Sequence, residues 1–356
     1  MEKLSPRQAG FLSFLFLAGN CLVVLFGAEA GRDVWLAQLI SAAVAFTLFC
    51  LLLAVMNRKE QTFFDIIQQL LGKIAGKAVI FLFLLYAFYT AALNLNIIGF
   101  FVNTVALRNT PPAAFILLFV LVCAYAVKKG LLTVSRASVF FIGYCLLIYL
   151  YILLTGFYYA DFSYLKPVLH NNTLPVIKAA AHNLAAHMGE VVLLAVVYPS
   201  ITDPKIRTKT ATWSFGAFAA FLLTVTIGSI CILGARQQSL QYFPIYTSIA
   251  LRQLSGIIVH LESSVSVAIM FFNFVKIALC IYIVAHGVGH VFNVTNTRLF
   301  ILPCSFLCYC FGLIAFNDII SLYGWLFGKL IVYTVLPFVV LFPLLLFAAG
   351  LKQRKA

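Results

Sequence analysis

LPVIKAAAHNLAAHMGEVVLLAVVYP, residues 174–199, is long and apolar enough to cross a bilayer, yet it carries Lys178, His182, Asn183, His187 and Glu190. About 20 apolar residues span the ~30 Å hydrocarbon core. A charged side chain at the centre of such a span costs about 3 kcal/mol or more, so Glu190 is a candidate functional residue. On an α-helix Asn183, His187 and Glu190 stand at i, i+4 and i+7 and share one face. Met188-Gly189-Glu190 interrupts the apolar run, because Gly is a poor helix former and can mark an unwound turn.

The rest of the chain fits a membrane interpretation. Of 356 residues, 63% are hydrophobic and only 10% are charged, a composition of integral membrane proteins. The apolar runs are about 20 residues each, which suits α-helical spans; the ten-residue alternation of a membrane barrel is absent. The net charge of +14 sits mostly in short loops between apolar runs. That distribution fits orientation in a membrane and contact with anionic lipid headgroups, not nucleic-acid binding. The first apolar run, beginning near Phe11, lacks a small-residue cleavage site and is expected to be a retained helix.

Few residues suggest chemistry. The nine cysteines lie almost entirely within apolar runs and are expected to act as small hydrophobes. Cys304, Cys308 and Cys310 lack C-x-x-C spacing, and His286 and His290 have no evident third ligand, so no metal or cofactor is expected. Asn171-Asn172-Thr173 and Asn293-Val294-Thr295 match a glycosylation sequon that matters only in a eukaryotic secretory context. There is no nucleophile elbow, phosphate loop or catalytic carboxylate pair, so enzyme activity is not expected.

Hydropathy predicts one membrane domain over residues 1–356, an all-α polytopic protein with ten transmembrane helices. Their approximate bounds are 9–27, 34–56, 78–107, 113–128, 137–158, 174–199, 210–234, 261–287, 298–316 and 325–349. Residues 61–73 are amphipathic and too short to span, so they are predicted to lie along the membrane surface. Residues 243–254 predict a similar short helix. Span 3 is long, which predicts tilt or a kink near Gly99. Sixteen Lys and Arg fall in loops on one side, six on the other and two, Lys276 and Lys329, within spans, accounting for all 24. This asymmetry places both termini in the cytoplasm, which requires an even number of spans.

Span 1 has an interruption of its own, Ala18-Gly19-Asn20, five spans before Met188-Gly189-Glu190. Breaks at matching positions of two halves point to a midplane binding site, where free backbone groups hold ligand atoms. Taken alone, Gly19 is explained by close helix packing; the pairing favours the site. Span 3 carries Tyr86, Thr90 and Asn94 at i, i+4 and i+8, with Asn96 and Asn103 on a neighbouring face. Span 8 carries Glu262, Ser266, Asn273 and Lys276 along one flank. Such stripes face a polar interior, since lipid would strand their donors; for each Asn or Ser alone, interhelical hydrogen bonding is sufficient reason. Lys276 is about 14 residues into its span, too deep to snorkel. Two arrangements satisfy it: Lys276 and Glu190 neutralise each other across one cavity, or Lys276 reaches a polar pocket while Glu190 pairs elsewhere. The candidate substrate-binding residues are Gly19, Asn20, Tyr86, Thr90, His187, Gly189, Glu190 and Lys276.

Several segments resemble the B subunits of nutrient germinant receptors, spore germination proteins related to amino-acid permeases. They are LSPRQAG (4–10), GRDVWLAQL (31–39), GLLTVSRAS (130–138), DFSYLKPVL (161–169), Gly189-Glu190 followed by Pro199, FPIYTSI (243–249) and Leu261-Glu262-Ser263. The resemblance implies two inverted five-helix repeats, about 9–158 and 174–349, with helices 1 and 6 broken and helices 3 and 8 lining the site. It implies residence in the spore inner membrane, a small-molecule nutrient as ligand, and two partners: an A-type membrane subunit and a C-type lipoprotein subunit. Where family members often carry a Pro late in helix 1, this chain has Phe26-Gly27-Ala28. A proton-coupled transporter of amino acids or polyamines is the alternative.

Overall fold

The computed structural model describes residues 3–57, 61–169, 173–251 and 261–355. Arg58, Lys59, Arg252, the Asn171-Asn172 part of the sequon and the end of the expected short helix at 243–254 lie outside them. Every regular element among the described residues is a helix. The α-helices are α1 (Pro6–Ala18), α2 (Val34–Met56), α3 (Phe63–Leu71), α4 (Lys73–Val105), α5 (Pro112–Lys128), α6 (Leu131–Tyr159), α7 (Leu174–Ala186), α8 (Pro204–Ser239), α9 (Pro244–Ala250), α10 (Leu261–Val291), α11 (Ile301–Ala315), α12 (Ile319–Leu326) and α13 (Lys329–Lys355).

Among the described residues, eight helical segments are long and apolar enough to cross a membrane. The remaining two expected spans correspond to shorter elements. Pro112–Lys128 has 17 residues, and α1 has only 13 because it ends at the break. The amphipathic segments expected at 61–73 and 243–254 contain the short helices α3 and α9. Local sequence sets where several helices begin. Ser5 and Gln8 form a reciprocal capping box at α1, Asp203 caps α8 with Pro204 at its first position, and Asp318 caps α12. Each cap satisfies backbone N–H groups that a helix leaves free at its start.

α4 runs unbroken through Gly99, from Lys73 to Val105. A Cβ at Gly99 would lie 2.5 Å from Ile116 Cγ1. The glycine therefore admits α5 against α4, as small residues do between membrane helices.

Burial separates centre from periphery. In the most apolar 18-residue window of Leu174–Ser200, 94% of the residues are buried within the protein, whereas for Leu131–Tyr159 the share is 28%, and Phe140, Leu147 and Leu154 point outward. In a bilayer that outer apolar surface faces lipid and needs no protein cover. Helices α4 and α10 pack extensively against each other, and α10 also touches α1, α5 and α6. The broken segments thus meet in the middle of the bundle.

One end of the bundle is tied by Arg207, which is 1% exposed. Its guanidinium donates to the Ile201 carbonyl at 3.1 and 2.8 Å, to the Met56 carbonyl at 2.7 Å and to Asn57 Oδ1 at 3.4 Å. These carbonyls belong to chain ends that helical bonding leaves unsatisfied. Hydrogen bonds to a charged group contribute about 1.5–3 kcal/mol each. Arg207→Leu is therefore expected to lose about 3 kcal/mol or more of stability. Heat-induced loss of monodisperse protein in detergent measures this; exposed Lys205→Leu should leave the midpoint nearly unchanged.

Candidate functional site

The first helix stops where Ala18-Gly19-Asn20 occurs in the sequence. Residues 19–27 leave the α-helix, with turns at 19–23 and 26–27, and the chain resumes as a 3-10 segment, Ala28–Asp33. Gly27 enters that segment at φ 83°, a left-handed conformation that glycine adopts without strain. The second break lies at His187, whose φ of −136° and ψ of −64° end α7 before the 3-10 segment Met188–Val196.

The α-helical register thus ends at Ala186, and the shared face expected of Asn183, His187 and Glu190 does not carry through. Asn183 Nδ2 donates to Ser41 Oγ on α2 at 2.9 Å. His187 Nε2 is 2.9 Å from the Leu17 carbonyl and 3.6 Å from Cys21 Sγ. Glu190 Oε2 receives the Lys276 ammonium at 2.5 Å. Three residues of one stripe reach three different places.

Carbonyls at the first break are satisfied by side chains from elsewhere. His187 serves Leu17, and Asn273 Nδ2 on α10 donates to the Gly19 carbonyl at 2.8 Å. Asn20 Nδ2 donates to Asn94 Oδ1 on α4 at 2.5 Å, and Asn94 Nδ2 in turn donates to the Thr90 carbonyl at 2.6 Å. Thr90 Oγ1 bonds the Tyr86 carbonyl of its own helix, so its hydroxyl is already engaged. Buried backbone groups without such partners would cost several kcal/mol each in a membrane interior.

Lys276 is fully buried and its side chain passes directly over Gly19. A Cβ at Gly19 would lie 2.6 Å from Lys276 Cδ and 2.7 Å from Cε. The ammonium is also 5.8 Å from the centroid of the Phe16 ring, within cation–π range. Of the two arrangements open from sequence, the structure has the first, with Lys276 and Glu190 joined.

Gly189 faces elsewhere: a Cβ there would lie 2.5 Å from the Leu184 carbonyl and 2.6 Å from Val339 of α13. It permits close packing of the second break on the last helix. Tyr86 is buried, packs on Phe338 with ring centroids 5.2 Å apart, and has no hydrogen-bond partner for its hydroxyl. The carbonyl oxygens of the Asn20 and Asn273 side chains are likewise buried without partners. Among the candidates, Gly19, Asn20, His187, Glu190 and Lys276 therefore converge on the break, while Thr90 supports it through Asn94.

A second polar cluster was not anticipated. His182 Nδ1 lies 3.1 Å from Glu29 Oε1, and Nε2 lies 2.5 Å from the Leu326 carbonyl. Phe26 and Phe327 flank the ring, with centroids 6.2 and 5.9 Å away. Nε2 faces a carbonyl and so donates to it, while Nδ1 shares a proton with the Glu29 carboxyl group. The cluster ties α7 to the 3-10 continuation of the first helix and to the end of α12. A signal was available: the chain has only ten acids, so Glu29 between two apolar runs required a partner.

A helical bundle in which two interrupted helices meet near the middle is an arrangement found in many transporter folds, and known structures share the fold. The structure is similar to Mhp1, a nucleobase-cation-symport-1 family transporter solved in a closed conformation, with a TM-score of 0.70 and 13% identity over 91% of this chain and 75% of that one. It is also similar to a Na+-coupled sialic acid symporter, with a TM-score of 0.67 and 11% identity over 99% and 90% of the two chains. These likenesses define the fold alone. A family model described as spore germination protein matches residues 3–319, and the chain belongs to that family. It is 26% identical to spore germination protein KB of Bacillus subtilis over 100% of this chain and 97% of that protein. It is 22% identical to spore germination protein YndE of the same organism over 73% and 72% of the two chains. The chain is thus an integral membrane protein of the spore germination family with a transporter-like fold.

Removing one member of a buried ion pair leaves an uncompensated charge and costs about 3–5 kcal/mol, whereas replacing both is often neutral. Lys276→Met and Glu190→Gln alone are expected to lower thermal stability, and the double variant to recover most of the loss. Equal, additive losses in a double-mutant cycle would show that the pair is not coupled.

Proposed function

We propose that this chain is the integral membrane subunit of a spore nutrient germinant receptor, binding a small nutrient at the crossing of the two breaks. The buried pair of Lys276 and Glu190 against Gly19 carries this reading. In this reading the protein has ten membrane helices in two inverted five-helix repeats, with both termini in the cytoplasm and residence in the spore inner membrane. An A-type membrane subunit and a C-type lipoprotein subunit receive the signal. Family membership and full-length similarity to spore germination protein KB support the assignment.

The chemistry favours an amino acid as nutrient. A zwitterion offers a carboxylate to Lys276 and an ammonium to Glu190, replacing one internal ion pair with two intermolecular ones. A neutral ligand offers no equivalent for either charge, and separating the pair in a dry interior is costly. Unpartnered oxygens on Asn20 and Asn273 beside the first break provide further contacts. Binding switches the receptor only if the nutrient prefers one conformation. A shift from 1:99 to 99:1 needs about 5.5 kcal/mol of preference.

A second reading, a proton-coupled transporter of amino acids or polyamines, is favoured by the symporter-like fold and by a carboxylate that can exchange protons as its partner moves. Two measurements separate the readings. Spores carrying only this receptor are screened against amino acids and their N-acetyl and amide derivatives. Loss of either ligand charge is expected to weaken the germination response about tenfold or more. Uptake of labelled amino acid by the chain alone, with no dependence on partner subunits, would favour the transporter. A germination response and protein level unchanged by Glu190→Gln would remove the site.

A further inference from the structure

On the outer side of α1, a groove of about 600 Å³ runs between α1, α6 and α8. Its walls are almost wholly apolar, with Phe11 and Phe14 from α1, Leu146 from α6 and Trp213 from α8. Trp213 is 71% exposed, which in a membrane means that it faces the acyl chains. Arg7 and Lys209 also line the groove. Both are exposed, and neither has an acidic partner among the described residues. Arg7 instead lies over the Phe11 ring at 5.5 Å.

The ends of α1 and α8 are neighbours, because the Leu4 amide donates to the Ser200 carbonyl just ahead of α8. Two helix N-termini therefore lie at this end, each adding partial positive charge. Asp203 is the nearby acid, and its carboxylate is engaged in capping Lys205 and Ile206. An apolar trough ending in unpaired cations, open to the bilayer, complements one class of molecule: a phosphate carried on acyl chains. Cationic side chains near the membrane surface attract anionic lipid with about 1 kcal/mol each.

We propose that this groove is a binding site for an anionic glycerophospholipid, with Arg7 and Lys209 holding the phosphate and Phe11, Phe14, Leu146 and Trp213 holding an acyl chain. The site bears directly on the broken helix. α1 is separated from the rest of its span by the break at 19–27, so a lipid wedged between it and α6 fixes the position of the half that carries the Leu17 and Gly19 carbonyls. The inference is independent of which nutrient the ion pair receives.

The test uses the full-length purified protein, with phosphatidylglycerol, phosphatidylcholine and inorganic phosphate as probes. Thermal stabilisation is titrated for the wild type, for the Arg7→Ala/Lys209→Ala double variant and for a Lys128→Ala/Lys129→Ala control. Phosphatidylglycerol is expected to stabilise the wild type and the control, and to bind the first double variant about 30-fold more weakly. Phosphatidylcholine is expected to act weakly and inorganic phosphate not at all. Equal effects of the two lipids, or equal phosphatidylglycerol affinity in the Arg7/Lys209 variant, would overturn the site; an effect of free phosphate equal to that of the lipid would reduce it to an anion site. Should that variant fail to fold, a photoreactive phosphatidylglycerol on the wild type is expected to label α1 and α8, competed by phosphatidylglycerol and not by phosphatidylcholine. Labelling confined to other helices, or cross-linking of Trp213→Cys to a partner helix in place of lipid, would equally refute it.

Discussion

Lys276 crossing Gly19 to reach Glu190 is the contact on which the centre of this protein depends. It requires several things at once: a helix interrupted at residue 19, a residue there without Cβ, and a second interrupted segment presenting a carboxylate. Neither break is tolerable alone in an apolar interior, because each exposes backbone groups that lipid cannot satisfy. Together they are mutually satisfying. His187 from the second break covers a carbonyl of the first, and Asn273, one turn of α10 from Lys276, covers another.

This arrangement inverts the usual relation between core and surface. The outer faces of α6 and α13 are apolar and exposed, whereas the middle of the bundle concentrates amides, histidines and an ion pair. A buried ion pair is weak support for stability, since desolvation offsets most of its attraction. What it supplies is specificity of arrangement: sliding α10 by one turn would strand a charge and leave the Gly19 carbonyl without its donor. A centre of this kind has few alternative packings, and separating the pair would disturb the contacts of several helices together.

Much of this was legible in the sequence because the membrane makes polar residues conspicuous. Glu190, Lys276 and the two glycine-containing interruptions stood out against long apolar runs, and α2 begins and ends where hydropathy placed span 2, at Val34 and Met56. The chain does not reveal direction. Asn183 was expected beside Glu190, but the helix stops at Ala186 and the amide reaches Ser41 instead. Periodicity assumes the register that a break destroys. Gly99 and Gly189 show a related limit, since a glycine can bend a helix or admit a neighbour, and only the neighbour's position decides between them. His182 found Glu29 and Leu326, each more than 140 residues away from it in sequence, through tertiary packing that no local pattern encodes.

The stem that carries the Lys276 charge has one further consequence. An inorganic cation beside Glu190 would be occupied according to its concentration in the surrounding medium, and would leave as that concentration fell. An ammonium on a covalent tether has an effective concentration fixed by the length of its own side chain. Dilution cannot remove it, and neither can a change in salt composition. Charge balance at the heart of the protein is therefore written into the chain, and holds whatever ions the cell can supply.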